Sequence, residues 1–96
     1  MTKSELVNAI VGKSGLTKED AGKALQAAIE TISEALCRNE RVTLIRFGTF
    51  ETRFRNEREG FNPFAQESIT IPARFVPAFR PSRVLKDAVR QDIAEG

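Results

Sequence analysis

Over the first forty residues apolar side chains recur every three or four positions, the spacing that keeps them on one face of an α-helix. Leu6, Val7, Ile10 and Val11 form a first stripe, introduced by the tetrapeptide TKSE. That tetrapeptide is a capping box, with Thr2 as N-cap and Glu5 at the third helical position. Gly15 supplies a C-terminal stop, and Thr17 opens a second helix with Asp20 at its third position. The second helix is expected to run to about Cys37. Its stripe is Ala21, Leu25, Ala28, Ile29, Ile32 and Leu36, wide and rich in small residues that permit close helix packing. RNE, residues 38–40, ends it.

Beyond residue 40 the period falls to two, as in a strand with one buried face. RVTLIRFGTFETRF places Val42, Leu44, Phe47 and Phe50 around Gly48, which predicts a strand, a tight turn at Gly48 and a second strand. ETRFRNER continues as a polar strand, FNPF turns the chain, and ESITIPARFV returns. Strands over 52–61 and 66–75 thus make a hairpin, each limb about 30 Å long at ~3.3 Å per residue. An isolated two-stranded ribbon is marginal in water, so such an arm is expected to be mobile until it lies on something; a duplex groove admits a ribbon of this kind. The helical period then resumes in PAFRPSRVLKDAVRQDIA, with Ser82 as N-cap after Pro81 and a stripe of Val84, Leu85, Ala88, Val89 and Ile93. The order is α-α-β-β-β-α, an α+β chain without internal repeats.

Ninety-six residues make one domain, and 41% apolar with 29% charged residues is ordinary for a soluble globular chain. No apolar run is long enough for a membrane span and the N-terminus lacks a signal-peptide layout, so the expected compartment is the cytoplasm, with no membrane partner. The single cysteine, Cys37, fits a reducing compartment and reads as a small apolar residue at a helix end. With no histidine and one cysteine, the usual zinc sites and histidine-activated nucleophiles cannot be assembled. Carboxylate pairs occur in no recognisable site context. No metal, cofactor or catalytic residue is therefore expected, and the chain does not read as an enzyme.

Charge changes the picture when divided along the chain. Residues 1–40 carry five positive and six negative side chains, whereas residues 41–90 carry ten positive and five negative. Nine of those ten cations are arginines, the side chain suited to planar, bidentate phosphate contacts. An anionic polymer becomes the expected partner if they share one surface; scattered, they would be a solvated face.

The motifs FGTF (47–50), RFRNERxGxNP (53–63) and VPAFRPSRVLKDAV (76–89) closely resemble, in order and spacing, the bacterial HU/integration host factor family of DNA-bending proteins. The resemblance spans essentially the whole chain. It implies a single domain over 1–96, with a helical base (1–40), a sheet and saddle (41–52 and 76–81), a β-ribbon arm (53–75) and a C-terminal helix (82–96). It further implies an intertwined dimer, with itself or with a paralogue, whose two arms embrace double-stranded DNA in the minor groove. Minor-groove binding with apolar wedges is the general mode of such architectural proteins. By the same resemblance Pro63, after Asn62, is the wedge at the arm tip. Arg55 and Arg58 lie along the groove and its phosphates, Arg53 at the base of the arm, and Arg74 completes the arm's arginines. Arg46, Arg80, Arg83 and Lys86 form a basic saddle and Lys3 a flanking phosphate contact. Phe47, Phe50 and Phe79 match the aromatic core of the dimer, with Gly48 at the tight turn.

The chain also departs from the family pattern. Phe61 stands where a basic residue is usual, Phe64-Ala65-Gln66 follow the proline in place of Gln-Thr-Gly, position 67 is Glu where Lys is common, and Ser82 replaces a frequent glycine. Four arginines against Glu57, Glu59 and Glu67 leave the arm from Arg53 to Arg74 with a net charge of only +1. The leading expectation is a cytoplasmic nucleoid protein that bends DNA with little sequence specificity. The alternative is an interaction module of the same fold whose Phe-tipped arms grip a protein, with DNA binding reduced.

Overall fold

The computed structural model describes residues 1–90. Helix α1 (Lys3–Ser14) begins as its sequence dictates: the Thr2 hydroxyl accepts the Glu5 N–H at 3.2 Å. The Glu5 carboxylate accepts from the same hydroxyl at 3.3 Å, a side-chain contact in place of the capping box's reciprocal bond from the Thr2 N–H. Gly15, with φ 76°, ends the helix and donates to the Val11 carbonyl at 3.0 Å. Helix α2 (Lys18–Cys37) starts on the Thr17 hydroxyl, which accepts the Asp20 N–H at 3.1 Å. The chain divides into two units, Met1–Ala35 with most of both helices, and the remainder from Leu36.

The second unit contains five strands: β1 (Val42–Leu44), β2 (Gly48–Arg55), β3 (Arg58–Asn62), β4 (Glu67–Ile71) and β5 (Arg74–Pro81). They form an antiparallel sheet in the order β1-β2-β5 and a separate β3-β4 ribbon. The expected three-stranded sheet with an arm is present, with two corrections. The first concerns the turn. Leu44 to Phe47 is closed by the Phe47 N–H on the Leu44 carbonyl at 3.0 Å, and the residue with left-handed backbone is Arg46, at φ 70°. Gly48 is instead the first residue of β2. It is needed there because a Cβ would lie 2.6 Å from Cζ of Phe79 and 2.7 Å from the Arg80 carbonyl oxygen.

The second correction concerns the hairpin, whose expected continuous limbs of 52–61 and 66–75 are broken. Arg55 faces Arg74 and Arg58 faces Ile71, so two residues intervene on each limb and the register carries across the gap. The physical reason lies in the ladder. The Ser82 N–H donates to the Phe47 carbonyl at 2.9 Å, which makes that pair the hydrogen-bonded kind; antiparallel pairs alternate in kind along the strand. Counting back, Pro77 and Pro81 occupy positions where no donor is needed toward β2. Pro72 occupies one where a donor is needed, opposite Glu57. Proline has no N–H to give, and the ladder stops.

Helix α3 (Arg83–Val89) is capped by the Ser82 hydroxyl, which accepts the Leu85 N–H at 3.1 Å. It was expected to reach residue 96; Arg90 already has extended backbone (φ −66°, ψ 91°), and Ile93 with the rest of 91–96 lies outside the described residues. Among the described residues the buried apolar side chains are only Val7, Ala21 and Ala35, and no helix is long and apolar enough to cross a membrane. Leu6, Ile29, Leu44, Phe47, Phe54, Phe75 and Phe79 all remain substantially exposed.

The two glycines with the most different surroundings give a paired test. Gly48→Ala should lower stability by roughly 1–3 kcal/mol, since the added methyl must displace a ring and a backbone carbonyl. Gly12→Ala, inside α1 with nothing within 4 Å of the new methyl, should raise stability by about 0.5–1 kcal/mol through helix propensity. Urea denaturation of both variants beside the parent protein measures the two signs.

Candidate nucleic-acid interface

Successive side chains on a strand point to opposite faces, and directly paired residues share a face. The observed register therefore sorts the sheet into two different surfaces. Val42, Phe50 and Phe79 share one face with Thr52 and Pro77 and with Phe54 and Phe75. Thr49 and Arg80, Glu51 and Ala78, Arg53 and Val76, and Arg55 and Arg74 share the other. Four of the expected site arginines, 53, 55, 74 and 80, are thereby gathered on one surface, the condition on which their functional reading depended.

Glu51 sits among them. It is only 8% exposed, and its carboxylate lies between two guanidinium groups, with Oε2 3.3 Å from Nε of Arg53 and Oε1 3.4 Å from Nη2 of Arg80. The Arg53 contact is a hydrogen bond. The Arg80 contact is close enough for charge pairing but not aligned for a hydrogen bond, so the buried Oε1 has no hydrogen-bond donor. Both arginines keep about half of their side chains in water, which screens the pairing. Glu51 thus spaces Arg53 and Arg80 along the face while leaving each accessible.

Where the ladder breaks, Arg55, Asn56, Arg58, Arg74 and Val76 line an open concavity. The ion pairs of the described residues involve other arginines, Arg38, Arg53 and Arg80. Three guanidinium groups without a carboxylate partner among the described residues, gathered around one concavity, form an anion-attracting surface. Arg58, on β3, lines the same concavity, although uninterrupted alternation from Arg55 would turn its position to the opposite face.

The remaining expected residues fall in four places. Arg46 is in the β1–β2 turn. Arg83 and Lys86 stand three apart on α3, and therefore on neighbouring positions of one helix face. Arg83 is the first helical residue, where a positive charge gains nothing from the helix dipole. Asn62 ends β3, and Pro63 enters the tip turn, whose backbone Asn62 organises: its Oδ1 accepts the N–H groups of Phe64 at 3.0 Å and Ala65 at 3.3 Å. Lys3 belongs to the other unit, at the start of α1, where its ammonium donates to Gln26 Oε1. Neither Glu51 nor Asn56 stands out in the sequence. The alternation Thr49-Glu51-Arg53-Arg55 is the signal that places an acid on the basic face.

The opposite face is aromatic. Phe79 lies 4.9 Å from Phe50 and 5.3 Å from Phe47 between ring centroids, all tilted, and Phe54 meets Phe75 edge-on at 5.4 Å. Phe47 and Phe79 are nevertheless 44% and 39% exposed. Rings that gather without being covered are the surface of a core still lacking its second half.

Comparison with known proteins gives a consistent result. The family described as Bacterial DNA-binding protein matches residues 1–90. The chain is 51% identical to the DNA-binding protein HU of Geobacillus stearothermophilus over 90 residues, covering 94% of this chain and all of that protein. It is 49% identical to DNA-binding protein HU 1 of Bacillus subtilis (strain 168) over 89 residues, covering 93% and 97%. Among solved structures, an Anabaena HU–DNA cocrystal structure superimposes with a TM-score of 0.90 at 46% identity, covering 93% of this chain and 97% of that one. HU from Thermotoga maritima gives a TM-score of 0.66 at 30% identity, covering 94% and 100%.

Proposed function

Because the chain belongs to the bacterial DNA-binding protein family, which includes the HU proteins, we propose that it is an architectural protein of the nucleoid that binds double-stranded DNA and bends it. One observation carries the reading: arginines occupy one face of the sheet and uncovered aromatic rings the other. A face of arginines needs an anionic partner, and a face of rings needs an apolar one. DNA meets the first requirement and a second copy of the chain, or a paralogue, the second.

In this mechanism residues 1–96 act as one domain that works as a dimer, with Phe47, Phe50 and Phe79 against the partner. The protein acts by binding rather than catalysis, in the cytoplasm. Arg80 and Arg53, spaced by Glu51, with Arg46, Arg83, Lys86 and Lys3, contact phosphates. Such contacts position the duplex without reading its sequence. Arg55, Arg58 and Arg74 follow the minor groove from the concavity at the ladder break. Asn62 holds the tip turn, and Pro63 enters a base step. Proline is suited to this because a compact apolar ring brings no hydrogen-bond donor to desolvate. Unstacking costs a few kcal/mol per step, offset by the additional surface that bent DNA contacts. Any preference arises from groove width and step flexibility. An arm devoted only to a protein partner would leave the arginine face without a ligand.

Three measurements test this. Sedimentation at micromolar concentration should show a dimer, and Phe79→Ala should weaken both association and folding, with truncation of a buried aromatic costing roughly 3–5 kcal/mol; a folded wild-type monomer would count against the dimer. Replacing Arg80, Arg83 and Lys86 together by Gln should sharply weaken duplex binding, equally for every sequence, while leaving the circular dichroism spectrum unchanged. Pro63→Ala should reduce the bend, read by energy transfer between dyes at the ends of a short duplex, far more than it reduces affinity. A parent protein that binds tightly and leaves that duplex straight would refute the architectural mechanism.

A further inference from the structure

The outer half of the arm differs in chemistry from its base. From residue 59 to residue 73 the chain has no Lys or Arg, and its only charged residues are Glu59 and Glu67. These carboxylates are repelled by a phosphate backbone. The tip instead presents rings. Phe64 is 97% exposed, and Phe61, at the end of β3, is also mostly in water. Phe64 does not sit on a frayed loop. Its N–H is held by Asn62 Oδ1, as is that of Ala65, and the turn closes through Gln66 at φ 53° into β4. A fixed turn therefore holds an uncovered ring beside Pro63.

We propose that Phe64 is a base-contacting residue, whose ring stacks on a base exposed at the step that the arm tip opens. The proposal rests on the DNA-bending reading and adds to it a contact of a different physical kind. Every base has a π-face, so an aromatic ring can bind one without regard to sequence. A tip of this composition offers no cation to a phosphate, whereas stacking needs none and releases no counterions. The arm is thus divided: its base, with Arg55, Arg58 and Arg74 around the concavity, supplies the salt-dependent attraction, and its tip supplies an uncharged, salt-independent one. Full exposure of Phe64 means that no packing within the chain depends on it.

The chain contains no tryptophan, so Phe64→Trp places a single indole at the tip. Its emission should be quenched when a short duplex is added, while fluorescence anisotropy of the dye-labelled duplex reports total binding in the same sample. Phe64→Ala should weaken binding roughly tenfold, within the range for losing a base–aromatic stack, with the slope of log K against log salt unchanged; Arg58→Ala should reduce that slope. If anisotropy shows the duplex bound while the indole emission is unaltered, the tip ring does not stack and the proposal fails with DNA binding intact. A change in emission that depends on protein concentration without DNA would mean that the ring meets protein, and also overturns it. No binding at all would remove the DNA reading and this proposal together.

Discussion

The register of β2 against β5 is held where the Phe79 ring crosses the Gly48 backbone, in space that any larger residue at 48 would occupy. A slip of one residue along a strand exchanges its two faces. Here the exchange would place arginines among the rings and rings among the arginines. The same contact brings Phe79 to Phe50 and Phe47 and sets Arg80 and Arg53 on either side of Glu51. Both surfaces therefore depend on a small glycine and one ring, neither of which is itself basic.

Much of the fold was legible because its signals are local. Thr2, Thr17 and Ser82 cap the helices they were expected to cap, each through one hydroxyl and an N–H three residues on. Gly15 stops α1 for a backbone reason that sequence expresses directly. The alternation over 42–54 identified strands, and the family resemblance supplied the aromatic cluster of Phe47, Phe50 and Phe79. The features that were not legible depend on pairing. Whether Pro72 is harmless or breaks the ladder is decided by which ladder positions require donors, and that is known only once β2 and β5 are aligned. Gly48 was placed at the turn by the strand pattern on either side of it and by the family resemblance; its actual role, making room for a ring 31 positions later, has no local signature. Arg46 takes the strained turn position instead. For the basic residues, type and number were evident, while the gathering of Arg53, Arg55, Arg74 and Arg80 on one face, and the presence of Glu51 among them, followed from register.

The distribution of burial bears on how the chain reaches a stable state. Among the described residues the buried apolar side chains, Val7, Ala21 and Ala35, are too small a core to offset the conformational entropy of ordering about ninety residues, which is on the order of 1 kcal/mol or more per residue. The exposed rings supply the missing apolar area once they are covered. In the proposed dimer, association and folding are then one equilibrium, and stability rises with protein concentration. A small chain can in this way keep large apolar residues on a surface that serves as an interior only after pairing.

The prolines of β5 bear on the size of the assembly. Pro77 and Pro81 sit where the backbone points away from β2, along the free margin of a three-stranded sheet in which β5 is the last strand. That margin consequently lacks two of the N–H groups with which a further strand would be zipped on, and an edge so blunted is a poor template for open-ended stacking. Growth strand by strand has no end point, whereas two copies meeting through one self-complementary face form a closed pair. By impoverishing the edge while leaving the rings free, the sequence directs its stickiness into a contact that is satisfied at two.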